Sequence, residues 1–380
     1  MDRPRILFVL HYHLSRLAGG SEEQSWLLAT ELARRGWEVH YASEMNRVPD
    51  PGSMDGVTLH GLPENPPRWE GNRGALQRVI AEVQPDVIYN RMFNLYTGRA
   101  FELAPAETIC VWAAAAENDG MIWRKLWGMR RMYSPHRFAV LLPWLVHACR
   151  AAKKGLARAD LVLVQRTDQV ERLRQAGLNP VVLRNSRPAV PDSEVQSHGG
   201  RPIVLWAGSL KRIKRPERFV ELADRCRDLD AEFVVIGQVQ QPEYRQIIEN
   251  AVRQCPNLRY DGLIPLARVQ DYFRMAHLLV NTSTNEGYSN TFIHAWQHGI
   301  PVVTLGVNPD RLITEKNLGV AARNMDELVK GVRELVSDPE KRREIGKRAR
   351  AFAEEEHNLT RAMDRIERLL AERGVRRPER

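Results

Sequence analysis

Asn285-Glu286-Gly287-Tyr288-Ser289-Asn290-Thr291-Phe292-Ile293-His294-Ala295-Trp296-Gln297-His298-Gly299-Ile300-Pro301-Val302-Val303 is the stretch on which the reading of the 380-residue chain turns. It is read as the end of a buried strand, a turn, a helix and the start of another buried strand. Ser289 or Asn290 can cap that helix. The free N–H groups of a helix start, together with the helix dipole, favour a bound anion such as a diphosphate. Glu286 lies in the turn just before it, where a carboxylate can accept hydrogen bonds from sugar hydroxyls. A helix cap or a surface carboxylate is the plainer reading of Glu286, and these residues taken alone favour it.

Outward from this segment, strands are expected at 203–207, 232–236, 258–260, 278–281 and 301–305, with helical patterns between them. The first half alternates in the same way. An apolar strand at 6–10 is followed by Gly19-Gly20, and Ser21-x-x-Gln24 has the form of a capping box opening a helix. Trp26, Leu28, Ala29, Leu32 and Ala33 give that helix its apolar side, Gly36 ends it, and 39–42 is the next strand. Later strands are expected at 57–60, 87–89, 108–113 and 161–164. Pro188, Pro191, Gly199, Gly200 and Pro202 among polar residues predict a linker. From Asp338 the pattern is helical, broken at His357-Asn358 before a last amphipathic helix over 360–372. The predicted fold class is α/β: residues 1–186 and 203–357 form two Rossmann-like doubly wound domains, joined by linker 187–202. The C-terminal segment 358–380 is expected to complete the first domain, and the two domains to face each other across a cleft.

Composition narrows the function. Apolar residues at 43% and charged residues at 27% are the balance of a globular protein. Cys110, Cys149, Cys226 and Cys255 are far apart, which argues against a zinc site or disulfide framework and for a reducing compartment. The longest apolar run, 138–146, contains Pro143 and falls short of the ~20 residues that span a bilayer. The run at 6–10 is too short for the core of a signal peptide, so a cytoplasmic location is expected. The net charge of +9 is local: residues 120–159 hold nine Lys or Arg and no Asp or Glu, so the rest is formally neutral. Trp123, Trp127, Tyr133 and Trp144 lie in the same stretch. Basic and aromatic side chains together suit an anionic lipid surface, and equally a solvated helix face beside core aromatics. Nucleic acid is the weaker partner, because no recognition motif accompanies the patch.

The opening segment resembles the signature of retaining family-4 glycosyltransferases with the GT-B fold. There a strand ends in Glu-Gly-aromatic, a second glutamate follows after seven intervening residues, and Gly-x-Pro-Val-Val closes the motif. Gly19-Gly20-Ser21-Glu22, Leu28-Ala29-Thr30-Glu31-Leu32 and Arg35-Gly36-Trp37-Glu38-Val39 resemble that family's opening βαβ unit. Trp206-Ala207-Gly208-Ser209-Leu210-Lys211-Arg212-Ile213-Lys214-Arg215-Pro216-Glu217 resembles its first C-domain strand and loop, and Asp261-Gly262-Leu263-Ile264 the turn where nucleobases rest. The resemblance implies that Glu286 holds the donor sugar's hydroxyls and Lys214 the donor diphosphate. It implies that Gly19 or Gly20 lets backbone approach the phosphates, and that Gly287, Tyr288, Ser289 and Asn290 turn backbone N–H groups to sugar and phosphate. Ile264 would lie near the base through its backbone. Two positions depart from the family: its usual arginine is Ser209, whose charge Lys211 or Arg212 would have to replace, and its second glutamate is His294. An imidazole can still donate one hydrogen bond and accept another, which leaves ribose binding by His294 open beside a plain helical role.

The resemblance further implies transfer of a sugar from a nucleoside-diphosphate sugar with retained configuration, no obligatory metal or other cofactor, and no enzyme nucleophile. Asp228-Leu229-Asp230 lies in a helix-end context rather than in a metal-binding one. Glu117, Asp119, His11 and His13 are the candidates near the reacting carbon, Asp119 the favoured one. Arg91 is expected to meet acceptor or phosphate, or to form an exposed ion pair. The expected acceptor is a lipid-linked or cell-envelope glycan, with peripheral docking on an anionic membrane through residues 121–154. A nucleotide-sugar epimerase on the same fold, or a non-catalytic binder of anionic lipid or nucleic acid, are the alternatives.

Overall fold

The computed structural model describes residues 3–15, 19–44, 52–63, 72–114, 122–130, 134–195, 199–286, 288–376 and 378. The chain divides into two compact units, residues 1–185 with 359–380, and residues 186–358. The first holds β1 (Arg5–Tyr12), β2 (Glu38–Glu44), β3 (Gly52–Met54), β4 (Val57–Leu62), β5 (Val87–Arg91), β6 (Ile109–Ala113), β7 (Leu161–Val164) and β8 (Pro180–Val182). Their order is β3-β4-β2-β1-β5-β6-β7-β8, parallel throughout except for the β3–β4 pair. The second holds β9 (Ile203–Ala207), β10 (Glu232–Ile236), β11 (Leu258–Gly262), β12 (Leu278–Asn281), β13 (Val302–Leu305) and β14 (Gly319–Ala322), all parallel, in the order β11-β10-β9-β12-β13-β14. Counted along its own chain segment, that order is 3-2-1-4-5-6, the doubly wound arrangement of nucleotide-binding folds.

The central strands are continuous apolar runs rather than alternating ones: Ile6 to Leu10, and all of β12 and β13, are buried. Such strands need helices on both faces, and each sheet does carry an apolar cluster on either side. The strands absent from the sequence-based expectation, β3, β8 and β14, all lie at sheet edges. Edge strands are short and half-wetted, so they leave no apolar run to read.

The C-terminal helix Leu359–Ala371 belongs to the first unit, burying Leu359, Met363, Ile366 and Leu370 beside Trp26 and Leu28. At roughly 1.5–3 kcal/mol for each buried apolar side chain, these contacts outweigh the ion pairs beside them. The pairs fix direction instead: Arg35 donates to Asp364 (2.6 Å) and Glu367 (2.9 Å), and the Trp37 indole donates to Glu367 (3.0 Å). The expected linker is packed on the second unit rather than loose. Arg350 donates to Val190 O and Asp192, the Gln297 amide to Pro188 O, and Arg274 pairs with Glu194. All four cysteines are buried and none of them forms a disulfide. Among the described residues no helix is long and apolar enough to cross a membrane.

Candidate active site

The strand order of the second unit reverses between β9 and β12, and in open α/β sheets ligands bind outside the carboxyl ends of strands at such a point. Two loops meet there, one after β9 and one after β12. The first contains the 3₁₀ turn Arg212–Lys214, closed by Lys214 N–H donating to Lys211 O at 2.9 Å. The second carries Glu286. Lys214 Nζ lies 2.5 Å from Glu286 Oε1, and the same oxygen accepts from Ser283 Oγ at 2.7 Å and Asn281 Nδ2 at 3.2 Å. The side chains of Lys214 and Glu286 are only 24% and 11% exposed, so their charges sit largely out of water and each depends on a partner.

Arg215 fixes both loops. Its guanidinium donates to Thr282 O (2.5 Å), Ser283 O (3.2 Å) and Leu305 O (2.9 Å), joining the β9 loop to the ends of β12 and β13. Its backbone is left-handed (φ 48°), which turns the chain into the helix Pro216–Arg225. Burial lowers its pKa from the usual arginine value. Thr284 N–H donates to Ile213 O (2.9 Å), and the Trp206 indole donates to the Thr282 hydroxyl (2.9 Å), which faces the carbonyls of Lys214 and Arg215. On the other flank, a Cβ on Gly237 (φ 140°) would lie 1.8 Å from Gly208 O, so the loops after β9 and β10 touch backbone to backbone. Lys214 and Glu286 are thus held by their loops, not merely by one another. Sequence reasoning missed Arg215, Asn281, Thr282 and Ser283. The abrupt polar triplet at the end of an apolar strand was a usable signal; Arg215 offered none.

The other expected residues divide. Ser289 stands at the cap position of the helix Asn290–Gln297, but its hydroxyl meets Thr291 Oγ1 (2.8 Å) and makes no side-chain cap bond, so capping is by backbone. Asn290 is the first helical residue. Tyr288 is buried, its hydroxyl 2.9 Å from His357 Nε2, which leaves only its backbone for a ligand. His294 is buried, stacked on Phe273 (centroids 4.8 Å apart), with Nδ1 3.0 Å from Gln270 Nε2. Burial pushes its pKa well below the ordinary histidine value. In this conformation it is a packed neutral ring. Ile264 is half-buried against the Phe273 and Phe292 cluster. Ser209 is half-buried, whereas Arg212 is exposed and its backbone N–H donates to Gln241. Gly287 lies outside the described residues, as do Glu117 and Asp119. Asp228 pairs with Arg333 and Asp230 with Arg201, so both are engaged away from β9 and β12.

In the first unit the order reverses between β1 and β5. The helix Gly20–Arg34 starts earlier than expected. Gly19 is its cap position, Ser21 and Gln24 lie inside it, and the capping box is absent. A Cβ on Gly19 would fall 2.3 Å from Glu22 Oε2, the end of a flexible side chain that can move aside. The Glu22 carboxyl accepts from its own backbone N–H, and burial raises its pKa. Arg91 is buried, donating to Asn185 Oδ1 (2.7 Å), which rules out the exposed ion pair. His13 is buried with Nδ1 on Ser15, while His11 is partly exposed and stacked on Tyr12.

Residues 201–338 match the model of the family described as Glycosyl transferases group 1. "Glycosyltransferase 1 domain-containing protein 1" of Xenopus tropicalis is 23% identical over 170 residues, 44% of this chain and 49% of that protein. The chain thus spans about half the length of that curated relative. Similar solved structures cover nearly the whole chain. Sucrose-phosphate synthase from Thermosynechococcus elongatus superposes with a TM-score of 0.77 at 17% identity, over 97% of this chain and 99% of that one. Anabaena Alr3699/HepE, solved with UDP, gives 0.70 at 15%, over 97% and 100%; it has also been solved with UDP-glucose. Residues 201–338 thus match the glycosyl transferases group 1 family, and the chain as a whole has the GT-B fold of these solved structures.

Proposed function

We propose that the protein transfers a sugar from a nucleoside-diphosphate sugar to a glycan or lipid-linked acceptor, with retained anomeric configuration. The observation that carries this reading is the Lys214–Glu286 pair at the switch point of the second unit. A sugar nucleotide offers what that pair needs: phosphate oxygens for the ammonium and hydroxyls for the carboxylate. The backbone N–H groups at the start of Asn290–Gln297 add a second anion-binding element. Leaving of the diphosphate is then assisted by fixed positive charge, and a donor phosphate oxygen takes the acceptor's proton. That Alr3699/HepE has been solved with UDP and UDP-glucose supports a uridine donor. A panel of UDP-, GDP- and ADP-sugars tests the proposal by thermal stabilisation and slow donor hydrolysis. At least one donor is expected to do both. Interconversion of donors without an acceptor would mark an epimerase, and no response to any donor a non-catalytic binder.

The acceptor is proposed to lie at an anionic membrane surface, reached through the basic and aromatic stretch of the first unit. The helices Ile122–Arg130 and Pro135–Leu156 expose Trp123 (76%), Trp127 (61%), Val140 (66%) and Leu142 (37%), with Arg130 set over the Trp127 ring. Exposed apolar side chains beside cations suit a headgroup layer. Part of the charge serves the fold instead: Lys125 donates to Phe93 O, and Arg158 donates to Phe101 O and Ala104 O. In liposome flotation the protein is expected to rise with phosphatidylglycerol vesicles and not with phosphatidylcholine vesicles. Equal recovery with both, or none with either, contradicts membrane docking.

A further inference from the structure

We propose that Lys211 is the second cation of the diphosphate site, supplying the positive charge that Ser209 does not. The inference rests on the donor reading above and names a residue within it. Lys211 is the extended residue just before the 3₁₀ turn that ends at Lys214, and its carbonyl accepts from the Lys214 N–H at 2.9 Å, so the two lysines flank one short turn. Its loop is held on both flanks: Leu210 N–H donates to Gln238 O (2.8 Å) and Arg212 N–H to Gln241 Oε1 (2.6 Å). Lys211 is half-buried, yet among the described residues its ammonium has no hydrogen-bond or ion-pair partner. Arg212, the other candidate, is exposed and solvated.

Charge counting gives the same answer. Lys214 and Glu286 cancel, whereas the diphosphate of a sugar nucleotide carries about two negative charges. When Lys214 turns to phosphate, the Glu286 carboxylate remains nearby. A second cation is then needed to keep the site from being strongly negative, and the helix start supplies only about half a charge. An ammonium held out of water beside another ammonium is poorly placed until an anion arrives. Burial and the neighbouring Lys214 lower the Lys211 pKa, and Glu286 opposes them, so both charged neighbours act on it.

Calorimetric titration of the native protein, Lys211→Ala, Lys211→Arg and Arg212→Ala with UDP, GDP, ADP and UMP tests this. Lys211→Ala is expected to weaken the preferred diphosphate roughly 30-fold but UMP no more than about 3-fold, a split that a general structural defect would not produce. Lys211→Arg should recover to within about 3-fold of native. Undiminished diphosphate binding by Lys211→Ala, or a larger loss from Arg212→Ala, overturns the assignment to Lys211 alone. If the native protein binds none of the diphosphates, the donor reading falls and this inference with it.

Discussion

Replacing Glu286 with alanine is expected to abolish sugar transfer while nucleoside-diphosphate binding stays at least as tight as in the native protein. The two halves of this result follow from one contact. In the ligand-free protein Lys214 is neutralised by Glu286 at 2.5 Å. Binding a diphosphate through Lys214 must first weaken that pair. Removing the carboxylate lifts this cost, so UDP affinity should hold or improve. Transfer should fall at least about a thousandfold in kcat/KM, equivalent to about 4 kcal/mol, because the sugar is no longer held against its leaving group. Lys214→Ala should do the reverse to binding: the diphosphate loses a charge-assisted partner and Glu286 faces it unneutralised. A loss on the order of 100-fold in UDP affinity is expected. Arg215, Ser283 and Asn281 hold the loops in both variants, so the fold should persist, with the thermal midpoint lowered by the largely buried charge that each variant leaves unpaired. Steady-state kinetics with the preferred donor, paired with calorimetric UDP titration, separates the outcomes. Full turnover by Glu286→Ala contradicts the assignment.

Acidification from about pH 7.5 to 5.5 is expected to destabilise the protein strongly. His13, His277, His294 and His298 are buried, and burial lowers the pKa of each below its ordinary value. Their surroundings suit the neutral ring. His277 Nδ1 accepts from Ile203 N–H (3.1 Å) while Nε2 faces Gly199 O (3.1 Å), so a second proton would confront a donor. His298 gives Nδ1–H to His294 O, and a proton on its buried Nε2 would have no acceptor. His13 accepts from Ser15 N–H at Nδ1. The sign is fixed by which state binds protons. In the unfolded chain these histidines protonate near pH 6.5, while in the folded protein they resist, so stability is complete above that value and is lost as the pH falls through it. Each contributes at most about 1.4 kcal/mol at pH 5.5, with the largest share from His294, whose pKa is pushed well below the ordinary value. Glu22, whose pKa is raised, opposes the trend by taking its proton first in the folded state. The carboxylates whose pKa is lowered, Glu31 among them, act below about pH 4.5 and outside this window. Urea unfolding at both pH values should show the fall, and His298→Gln should show a shallower one. Equal stability at both pH values would contradict the neutral buried rings.

How much of this was legible in the sequence follows from where the energy lies. Central strands such as β1 and β12 are buried on both faces and had to be written as apolar runs, so they could be read directly. The edge strands β3, β8 and β14 could not, because half-wetted backbone pairing needs no particular side chains. The candidate site was legible only through the family resemblance, which singled out Glu286 and Lys214, and the structure brings those two side chains into contact. It was illegible where a long side chain reaches across the fold: nothing near Arg215 announces three carbonyl partners on other loops. Capping misled for a similar reason. Ser21-x-x-Gln24 has the form of a box, but the helix already begins at Gly20, with Gly19 at its cap position. His294 was open to a ribose role in the sequence, and only its packing on Phe273 shows that the ring is buried.

A structure of the full chain soaked with a non-hydrolysable analogue of its preferred sugar nucleotide tests the central claim most directly. Lys214 Nζ is expected to have left Glu286 for a phosphate oxygen, with the freed carboxylate accepting from hydroxyls of the sugar ring. An analogue bound elsewhere, with the ammonium and carboxylate still joined as they are without ligand, would contradict it.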